Sequence, residues 1–147
     1  MKQSKYHYTE SGLQNVWLEN GFAIHETPYG KGVSIHDVAG LHRVIGRALA
    51  RLPRLTGAQV RFLRKELGLS QKVLAALLGT SEQNVSLWER RGRMPRGNDR
   101  LMRLLYLEQT DGNVKIREII DRLNGLDNEA AARLMLEERN GRWREAA

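Results

Sequence analysis

The sequence predicts a mainly α fold with a small α+β unit at its N-terminus. Between residues 56 and 110, apolar residues recur at the three- and four-residue spacing of buried helix faces. Residues 1–36 instead contain short runs rich in β-branched and aromatic residues, separated by Asn20-Gly21 and by the turn-like residues 28–32. We therefore predict two or three short antiparallel strands, with Asn20-Gly21 as a tight hairpin turn.

A helix is predicted to follow the strands, over residues 37–52. Asp37 can accept from the free backbone N–H groups at its start, and apolar residues then recur at helical spacing. The helix should end before Pro53, because a residue that precedes a proline disfavours helical geometry. These signals divide the chain into a small α+β unit at 1–53, a helical domain at 54–110 and C-terminal helices at 111–147.

The helical domain carries clear start signals for its helices. Thr56 and Gln59 have the spacing of a capping box, in which each side chain bonds one free backbone N–H. Ser70 can cap a second helix, and Thr80 or Ser81 can cap a third that runs to about residue 91. A fourth helix is predicted to begin at residue 98 or 99, with its leucines at 101, 104 and 105 inside.

The second and third of these helices have the pattern of a helix-turn-helix. A small residue, a glycine four positions later, a β-branched apolar residue six later and a bulky apolar residue three after that are what this motif needs. The sequence supplies them as Ala75, Gly79, Val85 and Trp88. The helix at 81–91 would then be free to enter a DNA major groove.

The C-terminal segment predicts two more helices, at about 114–123 and 129–139. The first has an apolar stripe of Ile119, Ile120 and Leu123 that is larger than one small domain needs. This stripe is a candidate contact between two copies of the chain.

The charge of the chain favours a polyanionic partner. Its 147 residues include 24 Lys and Arg against 17 Asp and Glu, which gives a net charge of +7. Residues 56–110 alone hold ten basic and five acidic residues, so the excess is largest around the helix-turn-helix. DNA, RNA or an anionic membrane surface would suit such a charge.

Several classes of site lack their residues in this sequence. The chain has no cysteine, which excludes disulfides and thiolate zinc sites, and its four histidines have no helical metal-ligand spacing. Gly30-Lys-Gly32 does not fit a phosphate-binding loop, and no catalytic motif occurs. Neither a signal peptide nor a membrane-spanning run is evident. We therefore expect a cytoplasmic protein that is not an enzyme and has no metal or cofactor.

The helix at 81–91 has an unusually polar outer face. Only Val85 and Trp88 are clearly inward, whereas Glu82, Gln83 and Ser86 can form hydrogen bonds and Leu87 is apolar where solvent or DNA should be. Five arginines follow closely: Arg90, Arg91, Arg93, Arg96 and Arg100. A polar edge beside guanidinium groups is typical of groove binding, with the arginines on phosphates.

Many positions in this region match one family in order. They are Leu63, Arg64, Leu67, Gly68, Leu69, Ser70, Gln71, Leu74, Ala75, Leu78, Gly79, Thr80, Ser81, Val85, Ser86, Trp88, Glu89 and Pro95. On these residues, the segment 56–110 resembles the Xre/Cro-type helix-turn-helix family of phage repressors and bacterial regulators. The resemblance implies a five-helix, lambda-repressor-like domain. It extends to an antitoxin-like branch with an N-terminal β unit, although the zinc-binding cysteines of that branch are missing here.

The resemblance also implies roles for individual residues. Gln71 would bond a phosphate and brace the reading helix, and Arg64 and Glu89 would form an internal ion pair. The remaining positions are all expected to contact DNA. By the resemblance, Thr80 or Ser81, together with Asn84, would touch the backbone, and Glu82, Gln83 and Leu87 would face base edges. Arg91 and Arg93 would clamp the next phosphates. Arg90 is a further DNA-contact candidate from the run of arginines.

Together these features predict a sequence-specific, DNA-binding transcriptional regulator that acts as a repressor. It would bind double-stranded DNA as a homodimer, with one reading helix in each of two successive major grooves. The alternative is an antitoxin that neutralises a partner toxin and autoregulates its operon. RNA binding is a weaker alternative, because the chain lacks an aromatic stacking platform.

Overall fold

The N-terminal segment forms two separate pairs of antiparallel strands. The computed structural model describes residues 5–111, 118 and 134–146. Strand β1 (Tyr6–His7) pairs with β2 (Trp17–Leu18), and β3 (Phe22–Thr27) pairs with β4 (Gly30–Ile35). These strands confirm the small β region that the apolar runs predict.

The hairpin turn lies at a different dipeptide from the predicted one. Thr27 pairs with Gly30, so Pro28 and Tyr29 form the turn between β3 and β4. Asn20-Gly21 connects β2 to β3, and these two strands do not pair with each other, so the predicted hairpin there is wrong. Gly21 has a φ of 79°, which suits glycine, and its carbonyl accepts from the His36 N–H at 2.8 Å. A glycine-containing turn alone does not decide which strands pair.

Five helices follow in the part of the chain up to residue 111. They are α1 (Val38–Ala50), α2 (Gly57–Glu66), α3 (Gln71–Leu78), α4 (Glu82–Arg90) and α5 (Arg96–Thr110). The mainly α class with a small N-terminal α+β unit is therefore confirmed.

The caps explain where these helices begin. Asp37 accepts from the Gly40 N–H, and Ser70 and Ser81 accept from backbone N–H groups three residues on. The predicted capping box is present: Thr56 N donates to Gln59 Oε1 at 2.8 Å, and Gln59 N donates to Thr56 Oγ1 at 3.3 Å. Local hydrogen bonding thus sets the start of α1 to α4.

The rotation of α5 differs from the predicted one. Leu101 and Leu104, expected inside, are 38% and 54% exposed, whereas Met102 and Tyr106 are buried. Met102 and Tyr106 lie on the same face of α5 as Asp99. Asp99 faces inward because it accepts a backbone hydrogen bond from Leu55. A polar anchor therefore outweighs the burial of two leucines.

Helix α1 packs against both α2 and α5, so the N-terminal segment shares a core with the helix-turn-helix. The described residues from 5 to 111 belong to one compact unit. The closest approach is at Gly46 on α1, where a Cβ atom would overlap the ring of Tyr106 on α5. Glycine is needed there because the buried ring occupies the space of a side chain.

Gly46→Ala is expected to lower the free energy of unfolding by about 1–3 kcal/mol, because the added methyl group must displace the packed Tyr106 ring. Urea denaturation would measure the change. The matched control is Gly97→Ala on α5, where no atom lies within 4 Å of the added Cβ. That control should be neutral or stabilising by up to about 1 kcal/mol. Equal stabilities for the two variants would contradict this packing.

Residues 134–146 belong to a second unit and form a β-hairpin. Strands β5 (Leu136–Arg139) and β6 (Arg142–Glu145) pair through a turn at Asn140-Gly141, and both turn residues have positive φ. The helix predicted over 129–139 is therefore wrong at residues 136–139, because the Asn-Gly turn favours a hairpin. The predicted stripe of Ile119, Ile120 and Leu123 lies outside the described residues.

Candidate nucleic-acid interface

Helix α4 presents one polar face to solvent and buries the other. Glu82, Gln83 and Asn84 are exposed, and Leu87 is 45% exposed. On the opposite side, Val85 is completely buried and fixes the helix to the core. The residues that the sequence predicts as base readers therefore lie on the open face.

The N-terminus of α4 is held by a small network of polar side chains. Ser81 Oγ accepts from the Asn84 N–H at 3.2 Å, and Asn84 Nδ2 donates to Thr80 Oγ1 at 2.9 Å. These bonds orient Asn84 and Thr80 beside the free N–H groups of the first turn. A helix N-terminus of this kind attracts anions such as DNA phosphates.

A buried ion pair joins α4 to α2. Arg64 Nε donates to Glu89 Oε2 at 2.7 Å, and Arg64 Nη2 donates to Glu89 Oε1 at 2.9 Å. The Arg64 side chain is only 11% exposed and that of Glu89 only 3%. The ion pair implied by the family resemblance is thus present, in the two-pronged geometry that guanidinium and carboxylate groups favour.

Gln71 extends this network to α3. Its Nε2 donates to Glu89 Oε1 at 3.3 Å, so the first residue of α3 contacts the end of α4. Arg64 also donates to the carbonyl of Leu69 at 3.0 Å, in the loop between α2 and α3. The three helices are therefore connected through polar groups that lie beneath the open face.

The predicted phosphate-binding arginines lie at the end of α4 and in the loop that follows. Arg90, Arg91 and Arg93 are all exposed. Within the described ranges, none of the three forms an ion pair. Arg90 Nε has only a long contact of 3.4 Å to the Ser86 carbonyl. Their positive charge is therefore available to an anion.

Asp99 is an important polar residue that the sequence patterns do not identify. It is 1% exposed, accepts from Leu55 N at 2.8 Å through Oδ2, and accepts from Arg103 Nε at 2.7 Å through Oδ1. The bonds join α5 to the segment before α2. The four-residue spacing of Asp99 and Arg103 is the only sequence signal, and it is also typical of exposed pairs.

A second polar connection involves the N-terminal segment. Tyr8 Oη lies 2.7 Å from His42 Nε2, and His42 Nδ1 lies 2.7 Å from Glu66 Oε1. The imidazole also packs against the ring of Phe62. Burial is the main cause that raises the pKa of Tyr8 above its ordinary value. This chain of contacts ties residue 8 to α1 and α2.

Two other kinds of site are absent from the described residues. No three His, Asp or Glu side chains among them are grouped to hold a metal ion. Every helix in the same ranges is too short or too polar to cross a bilayer. The open face of α4 with its arginines is therefore the best-formed candidate site in the described part of the chain.

Comparison with known proteins agrees with this geometry. Residues 60–99 match the model of a helix-turn-helix family, of the Xre/Cro type. The match runs from α2 into the first turn of α5 and includes the whole of α3 and α4. It does not single out the antitoxin-like branch. No curated protein and no solved structure matches the chain.

Proposed function

Because residues 60–99 form a helix-turn-helix of the Xre/Cro type, we propose that this protein is a sequence-specific, DNA-binding transcriptional regulator. The observation that carries the proposal is the exposed polar face of α4. Its polar face is open, while Val85 and Glu89 on its other side are buried against the core. A rigid helix with exposed hydrogen-bonding groups is what direct reading of a major groove requires.

We propose that Glu82, Gln83 and Leu87 read bases. A glutamine can bond adenine through two atoms, a glutamate can accept from the amino group of cytosine, and a leucine can pack on the thymine methyl group. All three side chains are exposed on α4. Leu87 is 45% exposed, so part of its apolar side chain is accessible to a thymine methyl group.

The flanking groups would hold the DNA backbone. Thr80, Ser81 and Asn84 lie at the α4 N-terminus, and Gln71 lies at the start of α3. Three exposed arginines, at the end of α4 and in the loop that follows it, would contact the next phosphates. They are Arg90, Arg91 and Arg93. Contacts of this kind set the position of a protein on DNA without reading its sequence.

We further propose that the protein acts in the cytoplasm as a homodimeric repressor. Two copies of α4 about one helical turn of DNA apart would read a two-fold operator, which is how helix-turn-helix dimers bind. A repressor needs no surface beyond those for DNA and for its partner copy. An antitoxin would in addition need a toxin-binding surface.

Selection of binding sites from a random DNA pool would test the proposal. We expect an enriched, two-fold symmetric sequence with half-sites about 10 base pairs apart from centre to centre. Enrichment of a single half-site would support sequence-specific DNA binding but refute binding as a dimer. Absence of any enriched sequence, with the folded protein confirmed by circular dichroism, would refute sequence-specific binding.

Gln83→Ala is expected to weaken operator binding by about 1–3 kcal/mol and to relax specificity at one base pair. The reason is that the variant removes a side chain with two hydrogen-bonding groups from the exposed face of α4. Binding titrations against operators changed at each position would measure both effects. The control is Gln14→Ala, an exposed glutamine of the N-terminal segment. If base preferences of Gln83→Ala equal those of the control, the residue does not read a base.

A further inference from the structure

A cavity rich in arginine lies between the segment before α2 and the first two turns of α5. Its volume is about 260 Å³. Six residues line it: Pro53, Arg54, Arg96, Asp99, Arg100 and Arg103. Since a water molecule occupies about 30 Å³ in the liquid, the space holds several waters or one phosphate group.

The charges around this cavity are unbalanced. Four of the lining residues are arginines and one is an aspartate, and the Asp99 carboxylate already accepts from Leu55 N and from Arg103 Nε. Arg96 and Arg100 form no ion pair within the described residues, and they are four residues apart on α5. Like charges at that spacing destabilise a helix. A bound anion would remove this repulsion.

Arg54 adds a specific sign of a missing acceptor. Its Nη2 donates to the Met94 carbonyl at 2.8 Å, which holds the side chain in place. Its Nε is buried and has no hydrogen-bond partner among the residues that the structure describes. A buried donor without an acceptor is unfavourable, so sites of this kind usually have a partner such as water or an ion.

The start of α5 offers further donors. Pro95 stands at the cap position and provides no side-chain hydrogen bond, unlike the capping residues of α1 to α4. The cap residue of this helix therefore provides no side-chain acceptor for the first N–H groups. Backbone N–H groups and arginines together form the usual environment of a bound phosphate.

We propose that this cavity binds a phosphate group. The group could belong to the backbone of bound DNA or to a free phosphorylated small molecule, since both present the same oxygens to the arginines. The DNA form rests on the proposed function, whereas the free form does not depend on it. In either case Arg96 and Arg100 would supply the exposed donors and Arg54 the buried one.

Titration of the full chain with inorganic phosphate tests the site directly. The arginine Nε–H signals would be followed by NMR, with sodium chloride added to hold ionic strength constant. We expect the Arg54 Nε–H signal to shift on binding. The variant Arg96→Gln/Arg100→Gln should bind phosphate at least about tenfold more weakly, because it removes two charged donors. Arg43→Gln, an exposed arginine of α1 outside this cavity, should bind like the unchanged protein.

A second titration distinguishes the two sources. If the group is a DNA phosphate, the slope of log affinity for duplex DNA against log salt concentration should become shallower in the double variant. The expected change is the loss of about two phosphate contacts, and Arg43→Gln should show no change. An unchanged salt dependence, together with lost phosphate binding, would identify a free ligand. Equal phosphate binding by the double variant and by Arg43→Gln would overturn the proposal. Failure of the protein to bind DNA would refute the proposed function but leave the phosphate titration decisive.

Discussion

Glu89→Gln is expected to lower the free energy of unfolding by about 3–5 kcal/mol, since it leaves the Arg64 guanidinium buried without a counter-charge. Glu89 accepts from Arg64 through both carboxylate oxygens and from Gln71 through one of them. The variant keeps the shape of the side chain but removes its charge, so packing changes little. Urea denaturation at several protein concentrations would measure the loss and separate it from any effect of association.

A double replacement provides the control. Arg64→Met/Glu89→Met removes both charges and fills the space with apolar groups of similar length, and such exchanges are often neutral or stabilising. We therefore expect it to be more stable than Glu89→Gln. If the free energy of unfolding of Glu89→Gln lies within about 0.5 kcal/mol of that of the unchanged protein, the ion pair does not hold α4 on α2.

Asp99→Leu is expected to lower the free energy of unfolding by about 3–4 kcal/mol, because it removes the acceptor of the buried Leu55 N–H and the charge partner of Arg103, whose side chain is 18% exposed. The leucine fills the site but cannot accept from Leu55 N or from Arg103 Nε. The change should also loosen the start of α5, which Asp99 ties to the segment before α2. Urea denaturation would give the free energy, and amide exchange at Leu55 would report the lost bond.

Asp111→Leu is the matched control for Asp99. It removes another aspartate that pairs with an arginine, but both side chains are about half exposed and the Arg47–Asp111 distance is 3.3 Å. Exposed pairs contribute about 0–1 kcal/mol, so little loss is expected. If the two variants lose equal stability, the burial of Asp99 is not what makes it important.

Local signals in the sequence predict much of this structure. The caps at Asp37, Thr56, Ser70 and Ser81 depend on bonds to residues three positions away, so the sequence alone identifies them. The helix-turn-helix spacing and the Arg64–Glu89 pair follow from a pattern that many matching positions specify together.

Features that depend on distant parts of the chain could not be predicted in the same way. The pairing of β1 with β2 joins residues about ten positions apart and leaves Asn20-Gly21 outside any hairpin. The rotation of α5 depends on Asp99 meeting Leu55, which is 44 residues earlier. The arginine cavity likewise combines residue 54 with residues 96–103. Such contacts depend on tertiary packing, which the spacing of apolar residues along the sequence does not predict.

The two faces of α4 share no residue, and this separation has an evolutionary consequence. Val85 and Glu89 carry the attachment to the core, whereas Glu82, Gln83 and Leu87 are exposed on the other side. Glu82 and Gln83 can change without altering the buried contacts of Val85 and Glu89, and surface substitutions of this kind change stability little. Under the proposed function, duplicated copies of such a gene can therefore diverge toward new operators one residue at a time while each intermediate still folds.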